Sequence, residues 1–151
     1  MAHINEKIDF TVEAFVVYEG RVLLIFHKKL QMWLPLGGHI ELDEDPEQAL
    51  FREVKEESGL EVEVIGEKPD VHFEGKKLLY APTFLDIHDI SATHQHIGLV
   101  YFARAKSDEI RLAPDEHERI RWFTEGDLED PQFEILPDIK FYVKEALKRA
   151  Q

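Results

Sequence analysis

A chain of 151 residues, 44% hydrophobic and 32% charged, is long enough to bury a substantial core as one domain spanning 1–151. Its net charge of −13 argues against general affinity for nucleic acid or anionic membranes, both of which need basic surface. The absence of cysteine excludes a disulfide framework, a zinc–thiolate site and a thiol nucleophile. No apolar run is long enough to span a membrane and MAHINEKIDF lacks the pattern of an export signal, so a cytoplasmic location is the default expectation.

Taken in order, Phe10–Tyr18 and Arg21–His27 are rich in Val, Leu, Ile and Phe and flank Glu19–Gly20, which predicts a β-hairpin. WLPL over Trp33–Leu36 reads as a short extended piece ending in a turn at Gly37–Gly38, where paired glycines permit close backbone approach. A helix follows from Pro46 to Ser58. Asp45 is placed to cap it with Gln48 completing the box, Pro46 suits the first helical position, and Gly59 suits the left-handed stop. Glu61–Glu67 alternates as a half-buried strand does, and Pro69–Lys77 is polar and loop-like. Leu78–Ile87 is strand-like, with Pro82 relegating it to an edge or a bulge. His88–Gln95 is expected to be a loop, Ile97–Ala105 a buried strand, Lys106–Glu118 an acidic loop and Ile120–Phe123 a short last strand. Pro137 opens a final helix whose apolar face is Ile139, Tyr142, Val143, Ala146 and Leu147. Two helices and about seven strands imply an α/β domain with a mixed sheet.

The helix at Pro46–Ser58 carries the chemistry. At about 100° per residue, Glu53, Glu56 and Glu57 share one face with Arg52 at its edge, while Leu50, Phe51 and Val54 point elsewhere, toward a core. Like charges at this spacing weaken a helix, so something must offset them. A hard divalent cation does so, and Mg²⁺ commonly bridges carboxylates to substrate phosphates. Between Glu41 and Glu63 ten acidic residues face only Arg52 and Lys55, a local balance of −8. An anionic diphosphate would be repelled there unless cations came with it. Glu47, a turn or more earlier on the helix, is expected to be a bystander.

The string Gly38, five residues, Glu44, seven residues, Arg52–Glu53–Val54, Lys55, Glu56–Glu57, Ser58–Gly59–Leu60 resembles the Nudix box at every required position. MWLPLGGHIE resembles the family's approach to that helix, departing from it at Leu36, where a proline commonly stands, and ERIRWFTEGDL resembles its last strand. The resemblance implies a Nudix-type mixed β-sheet sandwiched between α-helices. It further implies a metal-dependent pyrophosphohydrolase, in which water attacks phosphorus in the diphosphate linkage of a nucleoside diphosphate joined to another moiety. Carried over residue by residue, Glu53, Glu56 and Glu57 become ligands for Mg²⁺, or Mn²⁺ in its place, with the Gly38 carbonyl as an addition. Glu53 or Glu57 would also accept the proton of the attacking water. Arg52 and Glu44 would form an ion pair orienting this face. Glu116, six residues before Trp122, is a further candidate by the same resemblance, against the reading of an ordinary acidic loop. The partner is a small nucleotide-like molecule, and a homodimer is compatible with the family.

His94 and His96 at i, i+2 could share a strand face and bind a transition metal. Magnesium–phosphate chemistry needs no imidazole, so substrate contact by His96 or His39 is the preferred reading. For Phe26, Trp33, Tyr80 and Phe84, core packing is preferred to stacking on a base. Two rivals to the enzyme remain: a Nudix-fold sensor that binds a nucleotide without turnover, which would be expected to lose box carboxylates, and an acidic interaction module. All the box carboxylates are present here.

Overall fold

The computed structural model describes residues 7–111 and 117–151, with side chains for all of these except 117 and 118. The chain runs β1 (Ile8–Tyr18), β2 (Arg21–His27), β3 (Met32–Leu34), β4 (Leu36–His39), α1 (Pro46–Ser58), β5 (Val62–Val64), β6 (Phe84–Ser91), β7 (His94–Ala105), β8 (His117–Phe123) and α2 (Pro137–Arg149). A short 3-10 turn at Gly126–Glu129 precedes α2.

The strands make one mixed sheet built around the parallel pair β1–β7, with Asp9 opposite His96 and Val17 opposite Arg104. That pairing fills one edge of β1. On its other edge, Val16–Tyr18 pairs with β2 through the two-residue turn Glu19–Gly20, where both residues have positive φ, while Thr11–Ala14 pairs with β4. β2 in turn pairs with β8 along one edge and with β1 and then β3 along the other. The two hairpin strands therefore fork, and β3 and β4 fill the fork on either side of Pro35, which has no N–H to give a ladder.

Alternation along β1 sorts the core into two halves. Val12, Ala14 and Val16 pack with Leu36, Ala49, Leu50 and Val54 under α1. Phe15 and Val17 pack with Trp33, Phe102, Phe123, Ile139, Val143 and Ala146 under α2. The sheet is thus held between helices, as expected. Trp33 is buried against Phe26, Phe123 and Phe133 and Phe84 packs on Phe102 and Tyr142, so both serve the core.

Several expectations are corrected. Gly37–Gly38 lies within β4, not in a turn: Gly37 has φ +148, and a Cβ there would strike the Val12 carbonyl oxygen. His88–Gln95 is not a loop, because β6 and β7 form a long antiparallel hairpin through these residues, with His88 opposite His96. Strand structure begins at Phe84, not Leu78, and β5 covers only Val62–Val64 of the expected Glu61–Glu67. Phe51 is 42% exposed, while Leu50 and Val54 are fully buried. Glu47 is no bystander: it is buried, and its Oε1 accepts the Tyr80 N–H at 3.2 Å.

Candidate active site

Local sequence builds the box helix as read. Asp45 Oδ1 accepts the Gln48 N–H and Gln48 Oε1 accepts the Asp45 N–H, both at 2.9 Å. Gly59 at φ 75 closes the helix by donating its N–H to the Lys55 carbonyl at 2.9 Å. Ser58 Oγ–H bonds the Val54 carbonyl at 2.6 Å inside the core.

Arg52 is the hub of the exposed face. Its Nε and Nη2 donate to the two oxygens of Glu44 at 2.6 and 2.8 Å, a bidentate pair. Nη2 also donates to the His39 carbonyl at 3.1 Å, and Nη1 to Glu53 Oε1 at 2.9 Å and Glu56 Oε2 at 3.3 Å. One guanidinium thus ties the loop before α1, the end of β4 and two box glutamates together. The hydrogen bond from Arg52 holds the Glu44 carboxyl below its usual range, and Glu44 in turn raises the guanidinium.

The three box glutamates are not equivalent. Glu53 is mostly buried, and its carboxylate rests against Gly38 so closely that a Cβ would stand 2.7 Å from its carboxyl carbon. Glycine at 38 is therefore the condition for this carboxylate's position. Burial pushes Glu53 up to about 7, with the Arg52 hydrogen bond opposing and Glu57 adding to the rise. Glu56 is largely exposed. Glu57 is almost fully buried, and its Oε1 accepts the Gly37 N–H at 2.7 Å. A cleft of about 790 Å³ is lined by Gly38, Glu53 and Glu56 together with His27, Lys28 and Lys29, at and just after the end of β2. The oxygen-rich floor, with one carboxylate cradled against a glycine, suits a hard divalent cation. Glu116 lies outside the described residues.

On the other face of the sheet the structure assembles residues that sequence spacing did not. Asp9 of β1 is met by His94 Nε2 at 3.0 Å, His96 Nε2 at 3.1 Å and His39 Nε2 at 3.3 Å. Burial holds His96 below the usual imidazole range, with Asp9 opposing. Farther along, a Cβ on Gly98 would meet Glu13 Oε2 at 3.0 Å and Asp86 Oδ1 at 3.1 Å. Tyr142 donates to Asp86 Oδ2 at 2.6 Å, whereas Glu13 Oε2 is buried without a hydrogen bond. Burial first, then Asp86, pushes Glu13 up to about 7. One signal for Glu13 was present in the sequence: it shares its phase of the strand with Phe15 and Val17, which are core residues.

Comparison with known proteins agrees with this geometry. The NUDIX domain family model matches residues 9–143. The chain is 32% identical over 116 residues to the CTP pyrophosphohydrolase of Escherichia coli K12, covering 72% of this chain and 85% of that protein. It is 30% identical over 110 residues to the probable DHNTP pyrophosphohydrolase of Lactococcus lactis subsp. cremoris MG1363, covering 73% of this chain and 62% of that one. A crystal structure of a NUDIX-family hydrolase from Clostridium perfringens aligns with a TM-score of 0.85 and 38% identity over 95% of this chain and 98% of the other. A mixed sheet between two helices, with the box face at its mouth, defines a Nudix domain, and the chain belongs to the Nudix family. It is a Nudix hydrolase, an enzyme acting on phosphorus-containing acid anhydrides.

Proposed function

We propose that the chain, working as one domain, is a metal-dependent pyrophosphohydrolase. It would cleave the diphosphate linkage of a nucleoside diphosphate joined to another moiety, a further phosphate included, by water attack on phosphorus. The observation that carries this is the placing of Glu53 against Gly38, with Arg52 fastening Glu53, Glu56 and Glu44 at once. Gly38, Glu53, Glu56 and Glu57 would hold Mg²⁺, or Mn²⁺ in its place. Such an ion offsets charge on phosphoryl oxygens and lowers the pKa of water. Glu53, poised near neutrality, suits the work of accepting the proton of the attacking water, and Glu57 is the other candidate. Arg52 and Glu44 position these carboxylates. Lys28 and Lys29, which line the same cleft, would give a polyphosphate chain cationic partners. Glu116, just ahead of β8 in the sequence, remains a proposed contributor.

The names of the two relatives direct attention to a base or pterin bearing amino groups. Glu13 and Asp86 over Gly98 supply acceptors for such N–H donors, and Glu13 in its acid form supplies a donor. The test is a panel of CTP, other nucleoside triphosphates, dihydroneopterin triphosphate and ADP-ribose, with product release measured in Mg²⁺ and, after metal stripping, in EDTA. Turnover of at least one triphosphate in Mg²⁺, abolished by chelator and restored by Mg²⁺ or Mn²⁺, is expected. Full turnover in chelator would sink the reading.

A further inference from the structure

We propose that Asp9, His94 and His96 form a second metal site, separate from the box carboxylates and suited to a borderline divalent transition ion such as Zn²⁺. The site is made by pairing across the sheet. Parallel register sets Asp9 opposite His96, and the two-residue period of β7 puts His94 on the same face as His96. One ligand atom from each of the three lies within 4.8 Å of the other two. Ligands at about 2.0–2.2 Å from a tetrahedral ion stand roughly 3.3–3.6 Å apart, so a small inward adjustment closes this triangle on a single ion.

A network of imidazole N–H groups on one carboxylate is the competing account, and it explains Asp9 Oδ2, which His94 Nε2 meets at 3.0 Å. It does not explain Oδ1, which is buried and makes no hydrogen bond among the described residues although His96 Nε2 lies 3.1 Å away. A cation held between that oxygen and the ring nitrogens satisfies all of them together. His39, with Nε2 3.3 Å from Asp9 Oδ2, is a candidate fourth ligand. His88 lies beyond it, its ring 5.7 Å from that of His96.

Donor chemistry separates the two centres. The box offers oxygen ligands alone and suits Mg²⁺, whereas two imidazoles and a carboxylate favour Zn²⁺, Co²⁺ or Ni²⁺ over Mg²⁺. Through His39, which follows Gly38 directly, an ion here would clip β1 and β7 to the strand that cradles Glu53.

The full chain, in millimolar Mg²⁺ to occupy the box, is titrated with Zn²⁺ by calorimetry and with Co²⁺ by visible absorption. One equivalent of Zn²⁺ is expected, with the intense visible bands of low-coordinate Co²⁺ and a raised Tm. The Glu53→Gln/Glu56→Gln variant should keep that equivalent. Asp9→Asn and His96→Gln should each weaken it by more than the roughly 10–100-fold that loss of an outer-shell partner costs. Absence of the Co²⁺ bands in the wild-type chain overturns the proposal, whatever the variants do. Retention of Zn²⁺ affinity in both Asp9→Asn and His96→Gln overturns it too, as does its loss in the box variant.

Discussion

Glu53 and Glu13 lie on opposite faces of the sheet and share a pKa pushed up to about 7, with burial as the main cause in each. Their surroundings differ. Glu53 accepts a hydrogen bond from Arg52 at 2.9 Å and opens onto a cleft, with Glu56 exposed beside it. Glu13 Oε2 has no hydrogen-bond partner, and its nearest charged neighbour over Gly98 is the like-charged Asp86. One carboxylate is held by a resident cation whose charge is spread over three glutamates, which leaves a net negative face for an incoming ion. The other is buried beside a like charge, and both favour its acid form. Similar shifts thus arise in two different settings, a carboxylate tied to a guanidinium beside a cleft on the α1 side and a carboxyl beside a like charge on the α2 side.

The comparison breaks most sharply at the box. Glu53→Gln keeps shape and removes charge, and turnover on a substrate found in the panel should fall by about 10²–10⁴. Glu57→Gln should behave similarly, and thermal unfolding of both metal-free variants should be unchanged or slightly raised. Leu50→Ala tests the scaffold under the same helix. Its fully buried side chain predicts a loss of about 2–5 kcal/mol in denaturant unfolding, with Mg²⁺ dependence of the residual activity retained.

On the α2 side, Glu13 is expected to report through pH. Its folded pKa of about 7 exceeds the 4.5 of the unfolded chain, so its contribution to stability is fully present below pH 4.5 and is lost as pH rises through 7. Glu13→Gln stays neutral throughout. Relative to wild type it should therefore gain stability between these values, by no more than about 3 kcal/mol, as read from Tm across pH 4–8. A gap that does not change with pH would remove the neutral-acid account. The smallest effect is expected at Glu47, where glutamine keeps the acceptor for Tyr80 N–H and alanine does not. Unfolding should show Glu47→Gln near wild type and Glu47→Ala lower by about 0.5–1.5 kcal/mol.

What could be read beforehand was what neighbours in sequence determine. The Asp45–Gln48 cap, the Gly59 stop and the Glu19–Gly20 hairpin follow from local spacing, the Arg52–Glu44 pair follows from the family resemblance, and the structure contains each of them. The β6–β7 hairpin was misread as a loop because its polar, histidine-rich residues become strand only by pairing with one another beside β1. Glu47 was expected to have little effect because nothing in its helix reveals that the Tyr80 N–H meets it. Asp9 lies 85 residues from His94, so their meeting depends on the parallel register of β1 and β7, which no local pattern encodes. Lys28 and Lys29 escaped notice because their relevance comes from lining the same cleft as the α1 glutamates.

The central claim is that the glutamate face of α1, and not the histidine cluster, takes the catalytic cation. Mn²⁺ binding followed by electron paramagnetic resonance tests it directly on three proteins: wild type, Glu53→Gln/Glu56→Gln and His94→Ala/His96→Ala. The account predicts Mn²⁺ bound by wild type and by the histidine variant, and lost from the glutamate variant. Mn²⁺ retained without the two glutamates and released without the two histidines would contradict it.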